Sequence, residues 1–485
     1  MNHHDSGSQR KRAALASAWT IAGYGVSQVL RLGANIAVAA ALFEEAFALM
    51  AIVNAVIQGL AMFSDLGFAP SVVQSPRGSD RRFLGTVWTM QIARGVALFL
   101  IALALTWPIA QAYSRTDPLA SELQTLLPLA ALTTLVAGFN SVRIMSAGRN
   151  MALGRLTALE LLSQVAGLTV MVWLAVKYQW LYALPLGGVV SALIYCIGSH
   201  MILHGPRDTL NWDREAAAEV FRFGKWVFAS TALSFLALQL DRLMLPALFS
   251  LAEAGVYSIA ASVAMLVPSV MARLQMSVAF PLYSRARESG DALLASQLQR
   301  IMPASALLAG FVIAVVVACA EDFISIAYDS RYIAAGAVLA VLAFGSSFSC
   351  IEQMFGAAYL AAGRSDIVAR CNAIKVATFV LAVVPLSQVL GLVGAAWAMV
   401  AGEFAKSALA MGYSLRQWRA PHIVLIGHAV LAGTIGVSVD ALLGRLAAPL
   451  DLPVLLLMVL KGSLICVGYG YFVFRSARSM LTART

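Results

Sequence analysis

Fourteen stretches of about 20 to 30 predominantly apolar residues follow one another along this chain, separated by short polar segments, and about 20 such residues in a helix cross a bilayer. They lie near 17–42, 45–64, 84–112, 119–142, 156–176, 179–203, 226–249, 253–279, 299–320, 333–361, 367–389, 391–413, 422–444 and 453–474. Of the 485 residues, 60% are hydrophobic and only 12% charged, against about 25% charged in an ordinary soluble domain. That balance excludes a soluble enzyme of ordinary type. The expected fold is all-α, a polytopic membrane protein with about 14 transmembrane helices.

The net charge of +10 would point to nucleic acid in a soluble protein, but here placement matters more than the sum, and no nucleic acid partner is expected. With a cytoplasmic N-terminus, the inner segments hold 23 Lys and Arg and the outer loops four, namely Arg115, Lys177, Arg331 and Arg445. This bias predicts that both termini are cytoplasmic. The stretch from Ser17 to Leu42 follows the basic Arg10-Lys11-Arg12 but is too long for a leader and carries Gln28, Arg31 and Asn35, so it reads as a retained span. The five cysteines sit in apolar stretches with no C-x-x-C pair; they read as packing residues, not disulfides or a metal site. His200 and His204 are four apart but gain no third ligand nearby, so no metal is expected.

Seven basic residues remain inside spans: Arg31, Arg94, Arg242, Arg273, Lys375, Lys406 and Lys461. Each costs about 2.5–3.5 kcal/mol at a helix centre, so they need water, acidic partners or an interface. Lys461, alone among apolar neighbours, reads as structural. The intramembrane acids are Asp65, Glu160, Asp241, Glu352 and Glu403. Polar residues recur at helical spacing, as Tyr24/Gln28/Arg31/Asn35, Asn54/Gln58/Asp65, Thr157/Glu160/Gln164/Gly167, Ser262/Ser269/Arg273/Ser277 and Ser349/Glu352/Gly356/Tyr359. Stripes on successive spans predict a shared hydrated interior; the competing reading is ordinary helix–helix contact.

The halves repeat. Gly148-Arg149 to Arg155 and Gly363-Arg364 to Arg370 share the form G-R-x-x-x-x-x-R, Leu42-Phe43-Glu44 aligns with Leu251-Ala252-Glu253, and Trp19 falls near Trp226. An even number of spans separates the copies, so the repeat is parallel. The expected division is 1–203, a six-helix lobe; 204–225, a cytoplasmic linker; 226–415, a second six-helix lobe; and 416–485, two added helices with a tail.

Several runs together resemble the oligosaccharide-lipid flippases of the polysaccharide transporter family (Wzx-like), within the multidrug/oligosaccharidyl-lipid/polysaccharide exporter superfamily. They are Gln28-x-x-Arg31, Phe63-Ser64-Asp65-Leu66-Gly67 with Val73-Gln74, and Thr86-Val87-Trp88-Thr89-Met90-Gln91-Ile92-Ala93-Arg94-Gly95. Phe223-Gly224-Lys225-Trp226, Asp241-Arg242 and Phe280-Pro281-Leu282-Tyr283-Ser284-Arg285 are similar to the family's pattern in the second half. The first outer turn, Phe43-Glu44-Glu45-Ala46-Phe47-Ala48, departs from the family's P-E-E-F-G-like sequence.

The resemblance implies two six-helix lobes around a central cavity, and alternating-access movement of an undecaprenyl-pyrophosphate-linked oligosaccharide across the bacterial inner membrane. The product would feed cell-surface or exopolysaccharide biosynthesis. It implies a lipid-linked oligosaccharide, the lipid bilayer, and a polysaccharide polymerase with export machinery as partners, no cofactor and no enzymatic step. Arginine forks suit pyrophosphate oxygens, so Arg31, Arg94, Arg273 and Arg242 are the substrate-binding candidates, with Gln28 and Gln91 beside them. Glu160 and Glu352, each on a polar stripe, are the ion-coupling candidates. The repeat counterpart of Glu160 is Lys375, which predicts electrically unequal lobes.

Three other readings compete. A lipid II flippase shares the expected architecture. An ion-coupled exporter of cationic drugs would favour carboxylates over arginines in its cavity. A glycan polymerase or ligase would carry a large outer loop, and the longest here, Ala112 to Pro118 and Glu321 to Tyr332, are short. No P-loop, H-E-x-x-H or G-x-S-x-G occurs, so the sequence supports neither ATP hydrolysis nor hydrolase chemistry.

Overall fold

The structure, a computed structural model, describes residues 3–64, 80–149, 153–418, 423–447 and 453–482, together with Phe68, Val72, Ser75 and Arg77. Side chains are described within these ranges except at 3–21, 148–149, 153, 219–230, 232, 423–426, 428–429, 446–447 and 470–482. Asp65, Leu66, Gly67, Val73 and Gln74 therefore lie outside the described residues, as do the side chains of Trp19, Arg149 and the Phe223–Trp226 run.

Among the described residues there is no strand, and each of the fourteen expected spans falls on helix. Nine helices there are long and apolar enough to cross a membrane, and one of them, Ser365–Trp418, contains two expected spans. The polar linker is shorter than the sequence suggests. Asp213 accepts hydrogen bonds from the Glu215 and Ala216 amides, the preferred chemistry of an N-cap, and starts a 35-residue helix at Arg214. Residues 214–225 thus extend the following span.

Contacts gather into two compact units, Met1–Gly255 and Val256–Thr485. This cut follows packing, whereas the 204–225 cut follows charge and repeat. The first unit holds α1 (His3–Ala41), α2 (Glu44–Phe63), α3 (Arg81–Ser114), α4 (Leu123–Gly138), the short α5 (Arg143–Arg149), α6 (Leu153–Tyr178), α7 (Ala183–Met201) and α8 (Arg214–Leu248). Small residues set its closest helix pairs, since they let backbones approach in a setting where the hydrophobic effect gives little drive. A Cβ on Gly95 of α3 would stand 2.8 Å from the Gly138 Cα of α4, and one on Gly167 of α6 would stand 2.5 Å from the Gly187 carbonyl oxygen of α7. Leu49, Ile52, Leu123, Leu126 and Leu127 fill the core among α2, α4 and their neighbours.

In the second unit follow α9 (Leu251–Ala264, which begins in the first), α10 (Leu266–Leu274), a π turn at Gln275–Ala279, α11 (Phe280–Glu288), α12 (Asp291–Ala318), the short α13 (Ala320–Ala327), α14 (Ala335–Ala361), α15 (Ser365–Trp418), α16 (Ile423–Ala447) and α17 (Val454–Thr482). α14 is apolar nearly all round and accordingly central, with Val338, Leu339, Ile351, Met354, Phe355 and Tyr359 buried. α15 is two antiparallel arms meeting at Gly391, whose φ of 59° is the left-handed backbone glycine adopts without strain. A Cβ on Gly394 would meet the Leu386 carbonyl oxygen at 2.0 Å, so the turn is as tight as glycine permits. The break falls at the first residue of the second of the two spans expected there, 367–389 and 391–413.

Candidate functional site

The run on α3 that carries the family resemblance works as a set of clamps. The Thr86 hydroxyl accepts from the Asp213 amide at 3.0 Å. Thr89 Oγ1 accepts from the Asn211 amide at 3.1 Å and lies 3.0 Å from the Asn211 carbonyl oxygen. These bonds fix residues 211–213 along the first three turns of α3. Further along, the buried Gln91 Nε2 shares its two N–H groups among the carbonyls of Ala137, Gly138 and Asn140, which lie 3.0–3.2 Å away. Those acceptors lie at the end of α4, where helix carbonyls lack intrahelical partners. Arg94 does the same for α2, with Nη2 donating to the Ala61 carbonyl at 2.7 Å and Nε to Ser64 Oγ at 2.9 Å, while its guanidinium sits 5.9 Å from the Phe68 ring centre. A cation at a helix C-terminus also complements the macrodipole. Gln91 and Arg94 therefore hold helix ends together.

Arg31 is placed differently. Its side chain is exposed on α1, with no hydrogen bond or ion pair among the described residues, and Gln28 is half-buried one turn before it. Beside them Ser27 Oγ donates to Gln164 Oε1 at 2.6 Å, and Gln164 Nε2 donates to the Ser27 carbonyl at 2.9 Å. Thr157 packs where Gly23 has no Cβ, and Gly167 packs on α7. The Thr157/Gln164/Gly167 stripe of α6 is thus mostly a packing seam, from which Glu160 stands exposed.

Arg242 on α8 donates from Nη1 to Gln239 Oε1 at 3.3 Å, and Gln239 Nε2 donates to Gln58 Oε1 of α2 at 2.5 Å. Sequence reasoning passed over Gln239, although it stands three residues before Arg242. Arg273, at the end of α10 and just before the π turn, is exposed. Gln58, Gln239 and Arg242 form one chain, while Gln91 and Arg94 reach different helix ends. No contact among the described residues joins Arg31 to Arg94 or Arg242.

In the second unit the interior cations have acidic partners. Lys375 on the first arm of α15 is 2.5 Å from Glu403 on the second, with side chains 4% and 7% exposed. Lys406, one turn after Glu403, is 2.8 Å from Glu352 of α14. Signs alternate along Glu352, Lys406, Glu403 and Lys375, a neutral ladder across three helical segments. Glu352, expected as an ion-coupling group, is an ion-pair partner within this ladder. Lys461 is not alone: Asp322 and Asp440 hold it at 2.5 and 2.6 Å.

These helices make the chain a polytopic membrane protein with the fold of known transporters. It is similar over 96% of its length to 99% of a lipid II flippase, MurJ, in an inward closed conformation, with a TM-score of 0.72 and 13% identity. It is similar over 81% of its length to 94% of an inward-facing multidrug resistance MATE family transporter of the MOP superfamily, at 0.65 and 15%. At these identities the likeness is one of fold.

A family model described as polysaccharide biosynthesis protein matches residues 38–337, and the chain belongs to that family. Among its relatives, the teichuronic acid biosynthesis protein TuaB of Bacillus subtilis (strain 168) is 21% identical over 317 residues, 62% of this chain and 62% of TuaB. The lipopolysaccharide biosynthesis protein WzxC of Escherichia coli (strain K12) is 23% identical over 354 residues, 70% of this chain and 68% of WzxC. The match with TuaB thus spans less than two thirds of that protein's length. The resemblance read from the α3 run and its companions is borne out at the level of the family.

Proposed function

We propose that this protein is a flippase that moves an undecaprenyl-pyrophosphate-linked oligosaccharide from the inner to the outer leaflet of a bacterial inner membrane by alternating access, with both termini cytoplasmic. Its family and a fold shared with lipid-handling and drug-exporting transporters support the reading. The observation that carries it is Arg31, an exposed guanidinium on α1, in the first span expected from the sequence, with no hydrogen bond or ion pair among the described residues. Such a group costs about 2.5–3.5 kcal/mol at a helix centre, and its planar fork matches phosphate oxygens.

In this reading Arg31, Gln28, Arg242 and Arg273 contact the substrate, whereas Gln91 and Arg94 position the helices. Glu160, exposed on the polar stripe of α6, is the coupling carboxylate. Outward movement of a pyrophosphate is helped by an inside-negative potential, by about 2.3 kcal/mol per charge per 100 mV.

The test is reconstitution in proteoliposomes with a labelled polyprenyl-pyrophosphate oligosaccharide, with lipid II and a cationic drug as comparators, with and without a pH gradient. Translocation of the oligosaccharide lipid supports the proposal. Movement of lipid II alone, or of the drug alone, overturns it. A Glu160→Gln variant with the wild-type pH response removes Glu160 from coupling.

A further inference from the structure

The segment joining α7 to α8 is a fitted strap with two different sides. Its inward groups are bonded to the first unit. Asp208 accepts from Ser141 Oγ at 2.7 Å and from the Val142 amide at 3.0 Å, and lies 3.1 Å from His200 Nδ1. Asn211 is bonded to Thr89, and the Asp213 carboxylate pairs with Arg77 at 2.7 Å. From 210 to 213 exposure alternates in the period of an extended chain: Asn211 and Asp213 are the more enclosed, while Leu210 and Trp212 are 70% and 56% exposed.

What those two side chains face follows from the helix beneath them. The strap covers Gly85 and Thr89 of α3; a Cβ on Gly85 would lie 2.8 Å from the Thr209 carbonyl oxygen. Further along, Val96, Leu100, Leu103 and Trp107 are exposed. Positions 85, 89, 96, 100, 103 and 107 share one helical face, and on a membrane span an exposed apolar face is turned to lipid. The strap therefore occupies the lipid-facing side of α3 over its first turns. Thr89 lies eight residues beyond Arg81, about 12 Å along the axis, which is headgroup depth for a span that begins there.

Among the described residues at this end of the unit charge is mostly positive: Arg81, Arg82, Arg207 and Arg214 are exposed, against the exposed Glu215 and the partly exposed Asp80, while Asp208 and Asp213 are bonded inward. We propose that the outer side of the strap is a bilayer-docking surface, with Trp212 and Leu210 seated among the headgroups of the anionic leaflet and Arg207 and Arg214 on lipid phosphates. Tryptophan favours this depth because its ring is apolar and its N–H is polar. A basic residue near an anionic surface adds about 1 kcal/mol, equal to about fivefold in lipid preference per arginine. The surface leaves the oligosaccharide reading untouched, since it needs no transported substrate.

The experiment uses the full chain in nanodiscs of phosphatidylcholine with or without phosphatidylglycerol. The Trp212 fluorescence, taken as wild type minus Trp212→Phe, should be quenched by lipids brominated near the headgroup end of the acyl chain and shielded from aqueous acrylamide. Arg207→Gln with Arg214→Gln should lower the phosphatidylglycerol-to-phosphatidylcholine ratio of the lipid in contact with Trp212, read by brominating one lipid at a time, by about fivefold per arginine, with thermal stability unchanged. Quenching by acrylamide and not by brominated lipid overturns the proposal, as does an unchanged lipid ratio in the double variant. Shielding from both quenchers only in native membranes would assign the surface to a protein partner and also overturn it.

Discussion

Replacing Lys375 with methionine removes one charge of the ladder and leaves Glu352, Lys406 and Glu403 with a net charge of −1 inside the second unit. Taking one member from a buried ion pair costs about 3–5 kcal/mol, because the remaining charge loses its partner. Lys406 lies one turn from Glu403 and shares part of the load, which places the cost near the lower end, about 3 kcal/mol. For a unit of this size, 1 kcal/mol moves a thermal midpoint by about 2–4 °C, so Lys375→Met should melt about 6–12 °C below wild type. Adding Glu403→Met restores neutrality and leaves the Glu352–Lys406 pair intact; the double variant should recover to within about 1 kcal/mol of wild type, since apolar replacement of a buried pair is often neutral or stabilising. The assay is thermal unfolding of the purified protein in one detergent, followed by the loss of its monodisperse peak. A single variant within 2 °C of wild type, on the scale set by that coefficient, or a double variant less stable than either single, would refute the ladder as a coupled unit.

Arg31→Ala should lower translocation at an unchanged melting point, with Arg31→Lys restoring only part because it lacks the fork; Arg94→Ala should lower the melting point and abundance, as an end of α2 loses its donor. Gly95→Ala should cost about 1–3 kcal/mol by forcing backbones apart, while Gly25→Ala, with nothing within 4 Å of the added carbon, should leave the melting point unchanged. The hydrogen bond from Arg77 holds the Asp213 carboxyl below the usual carboxylate range. Its stabilisation is therefore complete above the unfolded value of about 3.9 and is lost as pH falls through the lower folded value. Asp213→Asn, which keeps the N-cap oxygen, should lose less stability than wild type on acidification from about pH 5 to 3.

Apolar run length made the helices legible in the sequence, and the short break at Gly391 was visible as the junction of two such runs. Partners were not. Lys375 and Glu403 are 28 residues apart on adjacent arms, and Lys461 meets Asp322 from 139 residues away; periodicity gives the face of a helix but not which neighbour that face meets. The same limit explains Gln91 and Arg94. Their spacing in the α3 run was plain, but their acceptors at Ala137 and Ala61 are supplied by chain folding, so a clamp and a phosphate site look alike in one dimension. Arg31 differs only by what is missing around it among the described residues.

The Gly391 turn also bears on how the chain enters the membrane. With no polar loop between them, the arms of α15 meet the insertion machinery as one continuous apolar segment. The first arm alone would present Lys375, a charge costing about 2.5–3.5 kcal/mol at mid-membrane, whereas on the second arm Glu403 already has Lys406 one turn away. Delivered together as a hairpin, those charges neutralise each other at 2.5 Å. Lys375 is synthesised before Glu403, so this pair can form only once the second arm exists, and lengthening the turn at Gly391 is expected to weaken the link between the two arms.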